Sequence, residues 1–102
     1  MRYLVELEPT TEAANKLDSG PGGPGPLFGY IAERWKPEAF YLRADRRIAL
    51  WVIDFPDVAS LVELTHVALA RAGVAPKVVP LLTGAEGGEI LPRAIQRAQL
   101  AP

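Results

Sequence analysis

The chain opens on a period-two pattern. Tyr3, Val5 and Leu7 alternate with Leu4, Glu6 and Glu8, which predicts a β-strand. Pro9 ends it, because proline has no N–H to give a ladder. Thr10 or Thr11 offers a helix N-cap ahead of a short helical piece, Glu12 to Leu17. Ser19 to Pro26 reads Ser-Gly-Pro-Gly-Gly-Pro-Gly-Pro. Missing donors and maximal backbone freedom make residues 19–26 a flexible insertion that interrupts a helix. A phosphate-cradling loop would need a Gly-Lys-Ser/Thr ending or a strand directly before it, and has neither. A lid over a site is the functional alternative to a plain connection. Helix resumes at Pro26, with Leu27, Tyr30, Ile31 and Trp35 at spacings of three and four, and Lys36-Pro37 ends it.

Ala39 to Arg43 and Arg47 to Asp54 form a hairpin about Ala44-Asp45-Arg46. The second of these strands is apolar on both faces: Ile48, Leu50 and Val52 against Ala49, Trp51 and Ile53. Asp54 or Asp57 caps the next helix, in which Val58, Leu61, Val62, Thr65, Ala68, Leu69 and Ala72 line one side before Gly73 terminates it. Lys77 to Leu82 is a last strand, which Pro76 and Pro80 place at a sheet edge. Pro92 to Leu100 forms a short helix with Leu91, Ile95 and Ala98 on one face.

The order strand, helix, strand, strand, helix, strand predicts an α+β, ferredoxin-like βαββαβ domain over residues 1–85, with a tail over 86–102. Both helices lie on one face of a four-stranded antiparallel sheet. The opposite face stays open, and because its middle strand is apolar there, a second copy is expected to cover it as a homodimer.

Three stretches carry a family resemblance: Met1-Arg2-Tyr3-Leu4-Val5-Glu6, Ile48-Ala49-Leu50-Trp51-Val52-Ile53-Asp54 and Pro76-Lys77-Val78-Val79-Pro80-Leu81-Leu82. The last follows a helix opened by Asp57 and continued by Leu61, Val62, Glu63 and Leu64. Together they resemble the dimeric α+β barrel superfamily, nearest to muconolactone isomerase-like proteins or a related small bacterial family of the same layout. The resemblance implies a dimer whose site lies between sheet and helices or beside the dimer seam. That superfamily includes isomerases, small monooxygenases and haem enzymes. No catalytic residue carries over from it.

Composition narrows the chemistry. Hydrophobic residues make up 49% of the 102 residues and charged ones 23%, enough apolar content for a core. No cysteine is present, so there is no disulfide and no thiolate nucleophile or metal ligand. One histidine with scattered carboxylates predicts no metal site, and no cofactor is expected. A formal charge of −1 argues against nucleic acid and anionic membranes as partners. With no signal peptide and no apolar run of membrane length, a cytoplasmic protein is expected.

The candidate site residues follow. His66 borders the apolar stripe of its helix, one turn after Val62, and an imidazole is the side chain suited to general-base work at neutral pH. Its plain alternative is a boundary packing residue. Tyr30 and Trp35, with Phe28, gather aromatics after the Gly/Pro run, suited to a small-molecule pocket or to packing on the sheet. Arg43, with Arg46 and Arg47, offers guanidinium forks for a carboxylate or phosphate, or else solvates an exposed turn. These point to a small homodimer that binds or transforms a small organic molecule. If it is an enzyme, cofactor-free proton transfer such as an isomerisation is the most economical chemistry, with His66 as base and Tyr30 or Arg43 orienting the substrate. The alternative is a non-catalytic module that assembles through its sheet edge or its C-terminal tail.

Overall fold

The computed structural model describes residues 1–102. Its elements run β1 (Arg2–Leu7), α1 (Thr11–Ser19), α2 (Gly25–Trp35), β2 (Ala39–Leu42), β3 (Ala49–Asp54), α3 (Val58–Ala72), β4 (Lys77–Pro80) and α4 (Gly84–Gln99). The strands form one sheet in the order β2-β3-β1-β4, with every neighbouring pair antiparallel. β4 is an edge strand, where Pro80 leaves no ladder bond wanting.

Alternation sorts the strand residues onto two faces. Val5 and Leu7 of β1 and Ala49, Trp51 and Ile53 of β3 are buried. They share a core with Leu27, Ile31 and Trp35 of α2 and Leu64, Ala68 and Ala72 of α3. The large side chain at the centre is Trp51, with Phe40 stacked on it at 5.3 Å and Phe28 edge-on at 5.9 Å. The other face carries Leu4, Leu50 and Val52, which are only partly buried, and Tyr41, which is exposed.

Side chains cap the starts of α1 and α3. The Thr10 hydroxyl accepts from Ala13 N at 3.2 Å, and the Asp57 carboxylate accepts from Ser60 N at 2.8 Å. Gly73 ends α3 at φ 72°, a left-handed conformation that glycine takes without penalty. The Thr10 amide bonds the Ala72 carbonyl at 3.0 Å, tying the end of α3 to the start of α1. Gly20–Pro24 join α1 to α2 through two turns, closed by Gly23 N on Gly20 O and Gly25 N on Gly22 O.

Three expectations need correction. The last helix begins at Gly84, not Pro92, so Pro92 lies inside it. A reciprocal capping box starts it: the Thr83 hydroxyl accepts from Glu86 N, and the Glu86 carboxylate accepts from Thr83 N. The buried face of α3 runs through Ser60, Leu64, Ala68 and Ala72, while Val58, Val62 and Leu69 face water. The hairpin strands are shorter than their apolar runs, because Arg47 and Ile48 belong to the connection.

Candidate functional site

Two of the concavities on the helix side of the sheet carry candidate site residues. The first, about 210 Å³ in volume, sits at the end of the sheet where α1, α2 and the β2–β3 connection converge. Its wall is apolar, built from Leu7, Ala14, Leu27, Phe28, Ile48 and Ala49 among others. Arg43, Arg46 and Arg47 stand on its lining with a single carboxylate, Asp18. Elements distant in sequence make this site. β1 and β3 give the floor, α1 and α2 the roof, and the connection after β2 the charges.

Each guanidinium already holds a carboxylate. Arg43 grips Asp45 with two bonds of 2.9 and 2.6 Å, and Arg46 grips Glu8 at 2.9 and 2.8 Å. Arg47 uses only Nη1, at 2.9 Å from both Asn15 Oδ1 and Asp18 Oδ2. Its Nε and Nη2 make no bond within the protein, so Arg47 keeps open the side-on fork that Arg43 and Arg46 have given to carboxylates, and it is the anchor for an incoming anion. The hydrogen-bonded Arg43 guanidinium holds the Asp45 carboxyl below its usual range, and Asp45 in turn raises Arg43. Both groups are therefore charged at neutral pH.

The second concavity is an open groove between α2 and α3, lined by Pro26, Tyr30, Val62, Glu63, His66 and Arg71 among others. His66 Nδ1 lies 2.9 Å from the Val62 carbonyl oxygen. A carbonyl can only accept, so in the neutral ring the proton belongs on Nδ1 and the lone pair on Nε2, where it can take up a proton. Across the groove, Arg34 bridges to Glu63 at 2.8 Å, tying α2 to α3.

The expected site residues thus divide. Tyr30 and His66 share the groove, and Arg43 lines the separate cavity; Leu17 and Leu27 border both. Trp35 is buried in the core, edge-on to Tyr30 at 6.0 Å and with the Arg34 guanidinium 5.5 Å over its ring. It supports Tyr30 and lines neither concavity. The apolar wall of the cavity went unread as a site, because each of its residues is also what a core needs. No group of three or more acidic or histidine side chains is placed to hold a metal ion. No helix is long and apolar enough to cross a membrane. No protein-family model, curated protein or solved structure matches the chain.

Proposed function

We propose that the chain is a homodimeric, ferredoxin-like protein that binds a small organic carboxylate in the cavity at the end of its sheet. Support for the fold is the sheet order, with β1 and β3 central and all pairs antiparallel, as a split βαβ arrangement requires. Support for the dimer is the partly apolar open face. The observation that carries the ligand is the union of an apolar wall with three guanidinium groups at one small cavity. An apolar cavity of about 150 Å³ accepts benzene, so about 210 Å³ suits one ring with a carboxylate added. The ring meets Phe28, Leu27 and Ile48, and the carboxylate reaches the free donors of Arg47 with Arg43 beside it.

Benzoate and benzamide, nearly identical in shape, provide the test. Benzoate is expected to raise the melting temperature in a saturable way, benzamide far less, and Arg47→Ala to erase the difference. Equal shifts from both compounds, or none from either, would overturn the reading. A second role, cofactor-free proton transfer such as an isomerisation, is favoured by His66 Nε2 and Tyr30 sharing a groove. It places Arg43 outside the reacting site. Turnover that survives His66→Ala would remove it.

A further inference from the structure

α4 is an amphipathic helix that its own chain leaves bare. At 100° per residue Gly87, Ile90, Leu91, Ala94, Ile95 and Ala98 share one face, and Glu89 and Gln96 the opposite one. Ile90, Leu91 and Ile95 are 47, 53 and 56% exposed, and Gly87 is the single buried residue of the helix. Helices of this length depend on packing one face for their stability. The overall dimensions agree. A compact chain of 11.0 kDa should expose about 5,600 Å², whereas this one exposes 7016 Å². Its radius of gyration is 16.7 Å, against about 13 Å for a compact domain of this length. The surplus area exceeds the roughly 800 Å² that each partner gives to a standard interface.

The same chain has a second bare surface, the open face of its sheet. Strand register arranges that face in rows. Ala39, Val52, Leu4 and Val79 lie side by side, and next to them Tyr41, Leu50, Glu6 and Lys77. Leu81 follows Val79, its amide on the Arg2 carbonyl at 2.9 Å. Tyr41, Leu50, Val52, Leu4, Val79 and Leu81 therefore make an apolar diagonal. Strand spacing and rise give it a length of about 20 Å, and the α4 stripe from Gly87 to Ala98 is about 17 Å long. Charge flanks both. Glu6 borders the diagonal and enters no ion pair, nor does its cross-strand neighbour Lys77 bridge to it. Arg93 and Arg97, also outside every ion pair, border the stripe on the side of Ile90.

We infer that α4 of each chain lies along the open sheet face of a second copy, so that two copies exchange their C-terminal helices. The inference rests on the homodimer reading and names the element that covers the face. α4 starts at that face in its own chain, where Arg2 approaches Glu86 at 3.7 Å, and then runs outward, as an exchanged arm must. Arg93 and Arg97 would then meet Glu6 of the second copy at the edge of an apolar seam.

The chain has no cysteine, so single-cysteine variants report contacts directly. Leu4→Cys and Ile95→Cys proteins, one carrying a mass tag, are mixed and oxidised after the wild-type mass is fixed by sedimentation equilibrium at micromolar concentration. The expected result is a dimer and a disulfide between the two different variants. Cysteine 4 joined mainly to cysteine 4 would keep the dimer but overturn the helix exchange, because the sheets would face each other. Links mainly between the two position-95 cysteines would overturn it too. A wild-type monomer would remove both readings. Charge exchange gives a second readout: Glu6→Arg should weaken dimerisation at least tenfold, and Arg93→Glu with Arg97→Glu in the same chain should restore it. Failure of that rescue would count against the seam.

Discussion

Filling the cavity at the end of the sheet decides whether it is usable space or an overlooked part of the core. Ala49 is 4% exposed and lines the cavity from β3. Ala49→Leu adds three carbons to that wall. If they enter the cavity, full burial contributes about 0.8 kcal/mol per carbon, or about 2.4 kcal/mol. The cavity opens beside Arg43 and Arg47, so part of the added surface stays wet and the net gain is about 1–2 kcal/mol. If the space were closed by neighbouring side chains, the same substitution would overpack the core and cost about 1–3 kcal/mol. The two outcomes differ in sign. Urea unfolding followed by tryptophan fluorescence measures it, since Trp35 and Trp51 are both buried. Concentration must be held fixed, because the stability of the proposed dimer would depend on it. A fall in the urea midpoint at unchanged slope would refute the cavity, and with it the proposed ligand. A rise should come together with loss of the benzoate-induced shift.

Gly73→Ala puts a side chain on a residue at φ 72°, with its Cβ 3.0 Å from the Thr10 hydroxyl. The left-handed conformation alone costs about 1–2 kcal/mol, and the crowding disturbs the cap of α1, so the melting temperature should drop by several degrees; an unchanged melt would refute the coupling of α3 to α1. Thr83→Ala removes half of the capping box and should cost α4 about 1 kcal/mol, read as lost helicity by circular dichroism. Acid should do the same: the Thr83 amide holds the Glu86 carboxyl below its usual 4.5. The cap is thus complete above that value and lost as pH falls through the lowered one. Helicity that is flat down to pH 2, or a Glu86→Gln variant with the same acid transition, would contradict this.

Strands were legible where period-two alternation and proline punctuation agreed, as in β1 and β4. α4 was half legible. Pro92 reads as a first-turn residue, yet Thr83 and Glu86 stand at capping-box spacing and mark the true start. Pro92 is tolerated inside because the helix is exposed, so the carbonyl left without a donor turns to water. On α3 the apolar residues occupy more than one side, and spacing alone cannot choose between them. Packing chose Ser60, Ala68 and Ala72 for their small size, leaving Val58, Val62 and Leu69 outside. Arg43 was legible as a candidate anion contact, but its cavity was not, because Leu7, Ala14, Leu27 and Ala49 come together only through the tertiary fold. His66 and Tyr30 show the converse: their shared groove required two helices to lie side by side, which no single-helix projection reveals.

The alternation of β3 also separates the two proposed roles. Ala49 lines the cavity, whereas Leu50, the next residue, lies on the opposite sheet face across from Tyr41 and Glu6. On the proposed reading one strand serves ligand and second copy from opposite sides, with a sheet one layer thick between them. Ala49→Leu should abolish ligand binding with the dimer retained, and Leu50→Asp should weaken the dimer while benzoate still binds. Arg43 is the exception. It follows Leu42 out of β2 on the Tyr41 side, yet its guanidinium lines the cavity, and Glu6 and Glu8 reinforce its charge. If α4 of a second copy draws Glu6 toward Arg93 and Arg97, the field on Arg43 changes, and assembly and ligand affinity become linked through this one corner. Benzoate affinity that varies with protein concentration in the wild type, but not in Arg43→Ala, is the expected signature of that link; affinity independent of concentration in both would dismiss it.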